Sequence, residues 1–221
     1  MNYEALRREI CEIGALVHQK GYVAANDGNI SVRLQGEDGI LITPTGVSKG
    51  MMAPEQMLVV GMGGAVAGGD VAAGDGRPSS ETKMHLAIYK ANPDIRAVVH
   101  VHPIYATYIS TWGEMAKLPR LCADIEVQVG EIPIAPYCPL GSQELADTAA
   151  AYCRDYNAVL LANHGLATWG ATLREAYYRA EAVEAYCHIV YLYHQCGRKG
   201  NELSPQQLEE LAALRLGKRQ G

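Results

Sequence analysis

The sequence predicts one α/β domain in which strands are flanked by helices on both sides. Short β-branched runs at 30–34, 40–43, 57–60, 97–101 and 158–162 alternate with helix-period stretches at 2–20, 79–91, 143–154 and 172–195. Of the 221 residues, 48% are hydrophobic and 19% charged, enough apolar material for a core and too little charge for a disordered chain. No repeat, linker or charge block divides the chain, so residues 1–221 are read as a single unit.

The elements follow in order. Leu6, Ile10, Ile13, Leu16 and Val17 recur at three- and four-residue steps from Asn2 to Lys20, one apolar helix face closed by Gly21 at C′. A turn-rich segment from Asn26 leads into the strand at 30–34. The strand at 40–43 ends in the turn Pro44-Thr45-Gly46. After 57–60, residues 61–76 hold seven glycines, which excludes a helix and suggests a hairpin followed by a mobile loop. Ser79-Ser80-Glu81 opens a helix that Asn92-Pro93 ends. Ile104 to Thr111 is expected to be helical, and Glu126–Val129 and Ile132–Ala135 to be short strands around Gly130. Thr172 and Glu175 form a capping box for a long helix to about Gln195. Ser204-Pro205 starts a last helix, and 217–221 is a basic tail expected to fray.

The formal charge of −5 disfavours a nucleic-acid partner. No apolar run is long enough to span a bilayer, and the charged N-terminus lacks a signal-peptide core. The six scattered cysteines form no CxxC pair, which suits reduced thiols in a cytoplasm. A cytoplasmic enzyme is expected.

Chemistry concentrates at Val98-Val99-His100-Val101-His102-Pro103. On a strand, residues two apart share a face, so both imidazoles converge on one point at a spacing suited to one divalent ion. A second apolar strand, 158–162, runs into Asn163-His164-Gly165, where the glycine lets the chain turn away. Three neutral imidazoles with one open position make a catalytic zinc site. The competing reading is three satisfied core histidines. His18, His85, His188 and His194 lie on helix patterns and are read as structural.

Ser79-Ser80-Glu81 either caps a helix or offers hydroxyls and free amides to a phosphate. Gly28-Asn29-Ile30-Ser31 and Thr43-Pro44-Thr45-Gly46 admit the same pair of readings, turn chemistry or anion binding. None carries a P-loop lysine, so nucleotide binding is not implied. Asp27 is open to capping the turn or approaching the substrate.

Taken in order, Gly28-Asn29-x-Ser31, Thr43-Pro44-Thr45-Gly46, Ser79-Ser80-Glu81, His100-x-His102 and Asn163-His164-Gly165 resemble the class II aldolase/adducin family. Within it, the chain is most similar to the L-fuculose-1-phosphate aldolase branch. The resemblance implies a three-layer fold with a mainly antiparallel central sheet. It implies Zn²⁺ on His100, His102 and His164, with Mn²⁺ and Co²⁺ as substitutes that an all-nitrogen site also accepts. It implies Glu81 as acid/base and Gly28, Asn29, Thr45, Gly46, Ser79 and Ser80 around the phosphate of a small sugar phosphate. It further implies a homotetramer with sites near subunit interfaces.

The implied reaction is cleavage of a ketose 1-phosphate to dihydroxyacetone phosphate and an aldehyde. A zinc Lewis acid would stabilise the enediolate charge, and a carboxylic group would shuttle the proton. The chain departs from the family's aldolase in its aldehyde-side tyrosines. The mid-chain position falls near Cys122, and no tyrosine follows Ser204. That favours a smaller or less polar aldehyde, as from 5-deoxyribulose or methylthioribulose 1-phosphate. Asp124 and Glu126 alternate as on a strand, with Asp124 either an auxiliary acid/base or solvent-facing. The rivals are a pentulose-5-phosphate 4-epimerase, a sugar-acid phosphate decarboxylase or dehydratase, and a non-enzymatic adducin-type domain.

Overall fold

A computed structural model describes residues 3–66, 77–113 and 115–218. Of the hairpin and mobile loop expected over 61–76, residues 67–76 lie outside the described residues, as do 219–221 of the basic tail. The chain begins with helix α1 (Glu4–Gln19), which buries Ile10, Ile13 and Val17. It closes as the spacing predicts. Gly21 takes φ +71°, its amide bonds the His18 carbonyl, and the Tyr22 amide bonds that of Val17 at 2.8 Å.

Strands β1 (Asn29–Arg33), β2 (Gly39–Ile42) and β3 (Leu58–Gly61) come next. They are followed by helix α2 (Thr82–Ala91), strand β4 (Ala97–Val101) and helix α3 (Ile104–Ser110). Then come α4 (Ala123–Gln128), β5 (Ile134–Ala135), α5 (Gln143–Tyr152), β6 (Ala158–Leu161) and β7 (Gly165–Gly170). Helices α6 (Leu173–Gln195) and α7 (Pro205–Lys218) end the chain. The seven strands form one sheet in the order β3-β2-β1-β4-β7-β6-β5. Every neighbouring pair is antiparallel except β5 with β6, which matches the mainly antiparallel sheet expected.

Both sheet faces are covered. On β4, Ala97, Val99 and Val101 pack into one core with α1, α3, α4 and α6, while Val98 joins the other core with α2 and α5. His100 therefore shares the face of Val98 and looks toward α2. No described helix is long and apolar enough to cross a membrane.

Two elements differ from the sequence reading. Residues 126–129, expected as a strand, belong to the helix α4 and its C-cap. Ile125 and Val129, four apart, are both buried in the core, so the run fits a helical period as well as an alternating one. Asp124 and Glu126 consequently do not share a face: Asp124 is exposed, whereas Glu126 is buried and accepts 2.8 Å from Arg120 Nε. Strand β7 was not expected at all. It follows directly on His164 and pairs with both β4 and β6. The capping box at α6 is half made. Thr172 Oγ1 accepts from the Glu175 amide at 3.1 Å, but the Glu175 carboxylate reaches the Ala171 amide instead of the cap's own.

Candidate active site

The site lies where β1, β4, the start of α2 and the β6–β7 turn meet. Antiparallel register sets Asn29 opposite His100. His100 is fully buried and points its Nδ1 at the Leu166 carbonyl, 3.0 Å away. His102 follows two residues on, with its Nε2 3.0 Å from His100 Nε2 and its Nδ1 3.7 Å from Asp27 Oδ2. His164 arrives from the end of β6 after Asn163, whose φ of +57° lies in the turn that joins β6 to β7. Gly165 then leaves room for His102, because a Cβ there would fall 2.4 Å from the His102 ring. Gly28 serves similarly on the other side, since a Cβ would meet the His100 carbonyl at 2.8 Å. That close approach explains the glycine without any ligand.

The three rings stand 4.7, 4.7 and 5.1 Å apart between centroids, and one nitrogen from each lies within 4.8 Å of the others. Glu81 completes the group. It sits at the N-cap of α2 yet makes no capping bond with its side chain. Instead Oε2 lies 3.2 Å from His100 Nε2 and Oε1 lies 3.0 Å from His164 Nε2. Asn29 Nδ2 donates to Glu81 Oε2 at 2.8 Å and to Ser79 Oγ at 3.2 Å.

The electrostatics suit a cation. Burial opposes ionisation of Glu81, but the charge on His100 and hydrogen bonds from His100, His164 and Asn29 outweigh it and hold the carboxylate far below its usual range. Burial, with repulsion from His100 and His164, pushes His102 down to about 3. Burial also lowers His164, against the pull of Glu81. His100 moves up despite its burial, because Glu81 faces it. With His100 Nδ1 committed to Leu166, Nε2 is the ring nitrogen left to face His102 Nε2 and Glu81 Oε2. Two such nitrogens 3.0 Å apart, beside a buried carboxylate, have the donor chemistry of a divalent-metal site.

The predicted phosphate residues gather at one side of this centre. The Thr45 amide bonds the Arg77 carbonyl, and Pro44 bridges Pro78, which seats the 44–46 turn beside Ser79. Thr45, Gly46 and Ser80 are exposed, while Asn29 is buried. Ser79 Oγ accepts from the Glu81 amide at 3.3 Å, so it caps the turn as well as facing Asn29. A groove of about 1000 Å³ opens from Ser79 and Ser80 past Lys83 and Gly141. Asp124 is not brought here; it lines a hollow with Cys122, Tyr178 and Glu181 on the opposite face of the sheet.

Residues 8–191 match the family model for the class II aldolase and adducin N-terminal domain. The chain belongs to that family. It is 34% identical over 186 residues to an L-fuculose phosphate aldolase of Methanococcus maripaludis, covering 83% of this chain and 95% of the relative. It is 30% identical over 210 residues to a 3-oxo-tetronate 4-phosphate decarboxylase of Haemophilus influenzae, covering 94% and 96%. Among solved structures it is similar to YgbL of Klebsiella pneumoniae, described as an aldolase/epimerase/decarboxylase. There the TM-score is 0.86 at 31% identity, over 96% of this chain and 99% of that one. The class II aldolase family is generally dependent on a divalent metal, and among the described residues His100, His102 and His164 form a group that could hold one.

Two residues near the centre escaped the sequence reading. His85, grouped with the structural helix histidines, is fully buried directly behind Asn29. The signal was its spacing: Glu81, His85 and Tyr89 fall four apart on one stripe of α2. Lys49, only 2% exposed, ties the Asn26 and Val47 carbonyls together at 3.1 and 2.8 Å. It thereby joins the loop before Gly28 to the loop after Gly46. Nothing in its sequence neighbourhood marks it as buried.

Proposed function

We propose that this chain is a zinc-dependent aldolase that cleaves a ketose 1-phosphate to dihydroxyacetone phosphate and an aldehyde. The observation that carries the reading is the convergence of three imidazoles on one point with the Glu81 carboxylate beside them. His100, His102 and His164 would hold a divalent ion, which would supply a Lewis acid for the negative charge that develops when the bond breaks. In cleavage the hydroxyl on the departing carbon releases its proton as the aldehyde forms, and Glu81 delivers a proton to the carbon left with the bonding electrons, from a position fixed by Asn29. Gly28, Asn29, Thr45, Gly46, Ser79 and Ser80 form the phosphate side, at the start of α2, where the positive end of the helix dipole favours an anion. Asp27 orients His102 through its Nδ1. Asp124 takes no part within one chain. The working unit is a cytoplasmic homotetramer, for which exposed Ile104, Tyr108 and Tyr178 offer apolar surface.

A decarboxylase is the second reading, favoured by the relative that matches 94% of the chain under that name. Loss of carbon dioxide from a 3-oxo acid also leaves electrons beside a carbonyl, so the same residues serve it. The deciding experiment is a substrate panel. Fuculose, ribulose, 5-deoxyribulose and methylthioribulose 1-phosphates are assayed for dihydroxyacetone phosphate, and 3-oxo-tetronate 4-phosphate for carbon dioxide. Dihydroxyacetone phosphate release that stops with chelator and returns with Zn²⁺ supports the aldolase. Carbon dioxide release alone replaces it with the decarboxylase.

A further inference from the structure

Behind Asn29 a chain of buried polar groups runs inward between α2 and β1. Tyr89 Oη lies 3.0 Å from the Ser31 carbonyl and 2.8 Å from Ser31 Oγ. Ser31 Oγ lies 2.6 Å from His85 Nδ1, and His85 Nε2 lies 2.5 Å from Asn29 Oδ1. Asn29 Nδ2 ends the chain at Glu81 and Ser79. Ser31 and His85 are fully buried, Tyr89 is 1% exposed and Asn29 3%.

A side-chain amide can present its oxygen or its nitrogen to a neighbour with almost no change of shape. Turned the wrong way, Asn29 would aim an oxygen at the Glu81 carboxylate, two acceptors meeting in a buried place. The groups behind it decide the matter. Burial, aided by the charge on His100, pushes His85 down to about 3, so the ring is neutral and carries one N–H. If that proton is on Nε2, it can only be donated to Asn29 Oδ1, which leaves both N–H groups of Nδ2 for Glu81 and Ser79. His85 Nδ1 then accepts from the Ser31 hydroxyl, and the single Tyr89 proton is shared by the two Ser31 oxygens. The other tautomer would need an N–H from Asn29 and would strip it from Glu81.

We propose that His85 is a positioning residue whose Nε2–H fixes the Asn29 amide and, through it, the place of the Glu81 carboxylate. This rests on Glu81 being the acid/base of the reading above. The chain of contacts gives His85 no approach to the substrate; it acts only through Asn29.

The first test needs no substrate. Magic-angle-spinning NMR of the full chain labelled with ¹⁵N-histidine distinguishes the two neutral tautomers, and the His85 signals are those lost in His85→Gln. A neutral Nε2–H ring is expected; an Nδ1–H or doubly protonated ring overturns the proposal. The second test uses the best substrate of the panel above. His85→Leu should keep its zinc, with kcat falling roughly 10- to 100-fold and by more than KM rises. His85→Gln, whose amide can still donate to Asn29, should recover most of that loss. Placed on Asn29→Ala, His85→Leu should cost almost nothing more, since the two act as one unit. Losses that multiply, or a glutamine no better than leucine, overturn the proposal. A wild-type protein inert toward the whole panel would sink the functional reading alone, because the tautomer measurement still decides this one.

Discussion

His100 donates from Nδ1 to the main-chain oxygen of Leu166 at 3.0 Å, and that bond settles which face of its ring is left for a metal. The partner is backbone on the neighbouring strand, so no side-chain substitution can remove it. His102 has only the looser Asp27 contact behind it. His102→Ala should therefore empty the centre while β4 stays intact. Zinc retained after dialysis, read by elemental analysis, is expected to fall well below one equivalent, with activity down more than ~100-fold. Full occupancy would remove His102 from the ligand set.

Glu81→Gln keeps the shape of the side chain and an oxygen to accept from Asn29, but its amide gives up an acceptor oxygen and cannot accept a proton. Metal content should be unchanged and kcat should drop on the order of 10²- to 10⁴-fold. An unchanged rate would take the acid/base role away from Glu81.

Asp124 lies on α4, across the sheet from the histidines. Asp124→Asn is expected to leave kcat within about twofold and stability within ~0.5 kcal/mol, as for an ordinary surface change. A large loss of kcat would return it to the catalytic set, reached through a neighbouring copy.

Lys49 is pushed down to about 8 by burial, with Asp27 pulling the other way. Below pH 8 both folded and unfolded chains carry its proton, and burying the charge costs stability. Between about 8 and its ordinary value the folded chain gives up the proton while the unfolded chain keeps it. The unfolded state then binds more protons, so Lys49 makes stability rise with pH in that window. Chemical denaturation of wild type and Lys49→Met from pH 7 to 10 should show this rising component in the wild type alone. Parallel pH curves would mean that folded Lys49 keeps its proton across this window, so that burial does not lower it.

The parts of the site that were legible in the sequence are those set by nearest neighbours along the chain. His100 and His102 share a face because a strand repeats every two residues, and that needs no knowledge of the fold. His85 is different: its meaning comes from Ser31 and Asn29, 54 and 56 residues away on β1. Only the docking of α2 on that strand turns a helix histidine into a buried link. The alternation around Asp124 misled because Ile125 and Val129 fit a helix equally well, and Gly130 at φ +92° ends that helix as readily as it would separate two strands. Strand β7 was hidden by its flanking glycines, which look like loop until β4 and β6 are seen on either side. The motifs located the centre, and the register placed Asn29 across from it.

That register also fixes an order of events during folding. Asn29 pairs with His100, and His100 with Ala167, across gaps of about 70 residues each. Closing such loops is the slow part of building a sheet of distant strands. The three imidazoles share no point in space until those ladders exist. A metal held there would therefore not guide the early search; it would act as a latch on a sheet already formed, slowing its opening more than hastening its assembly.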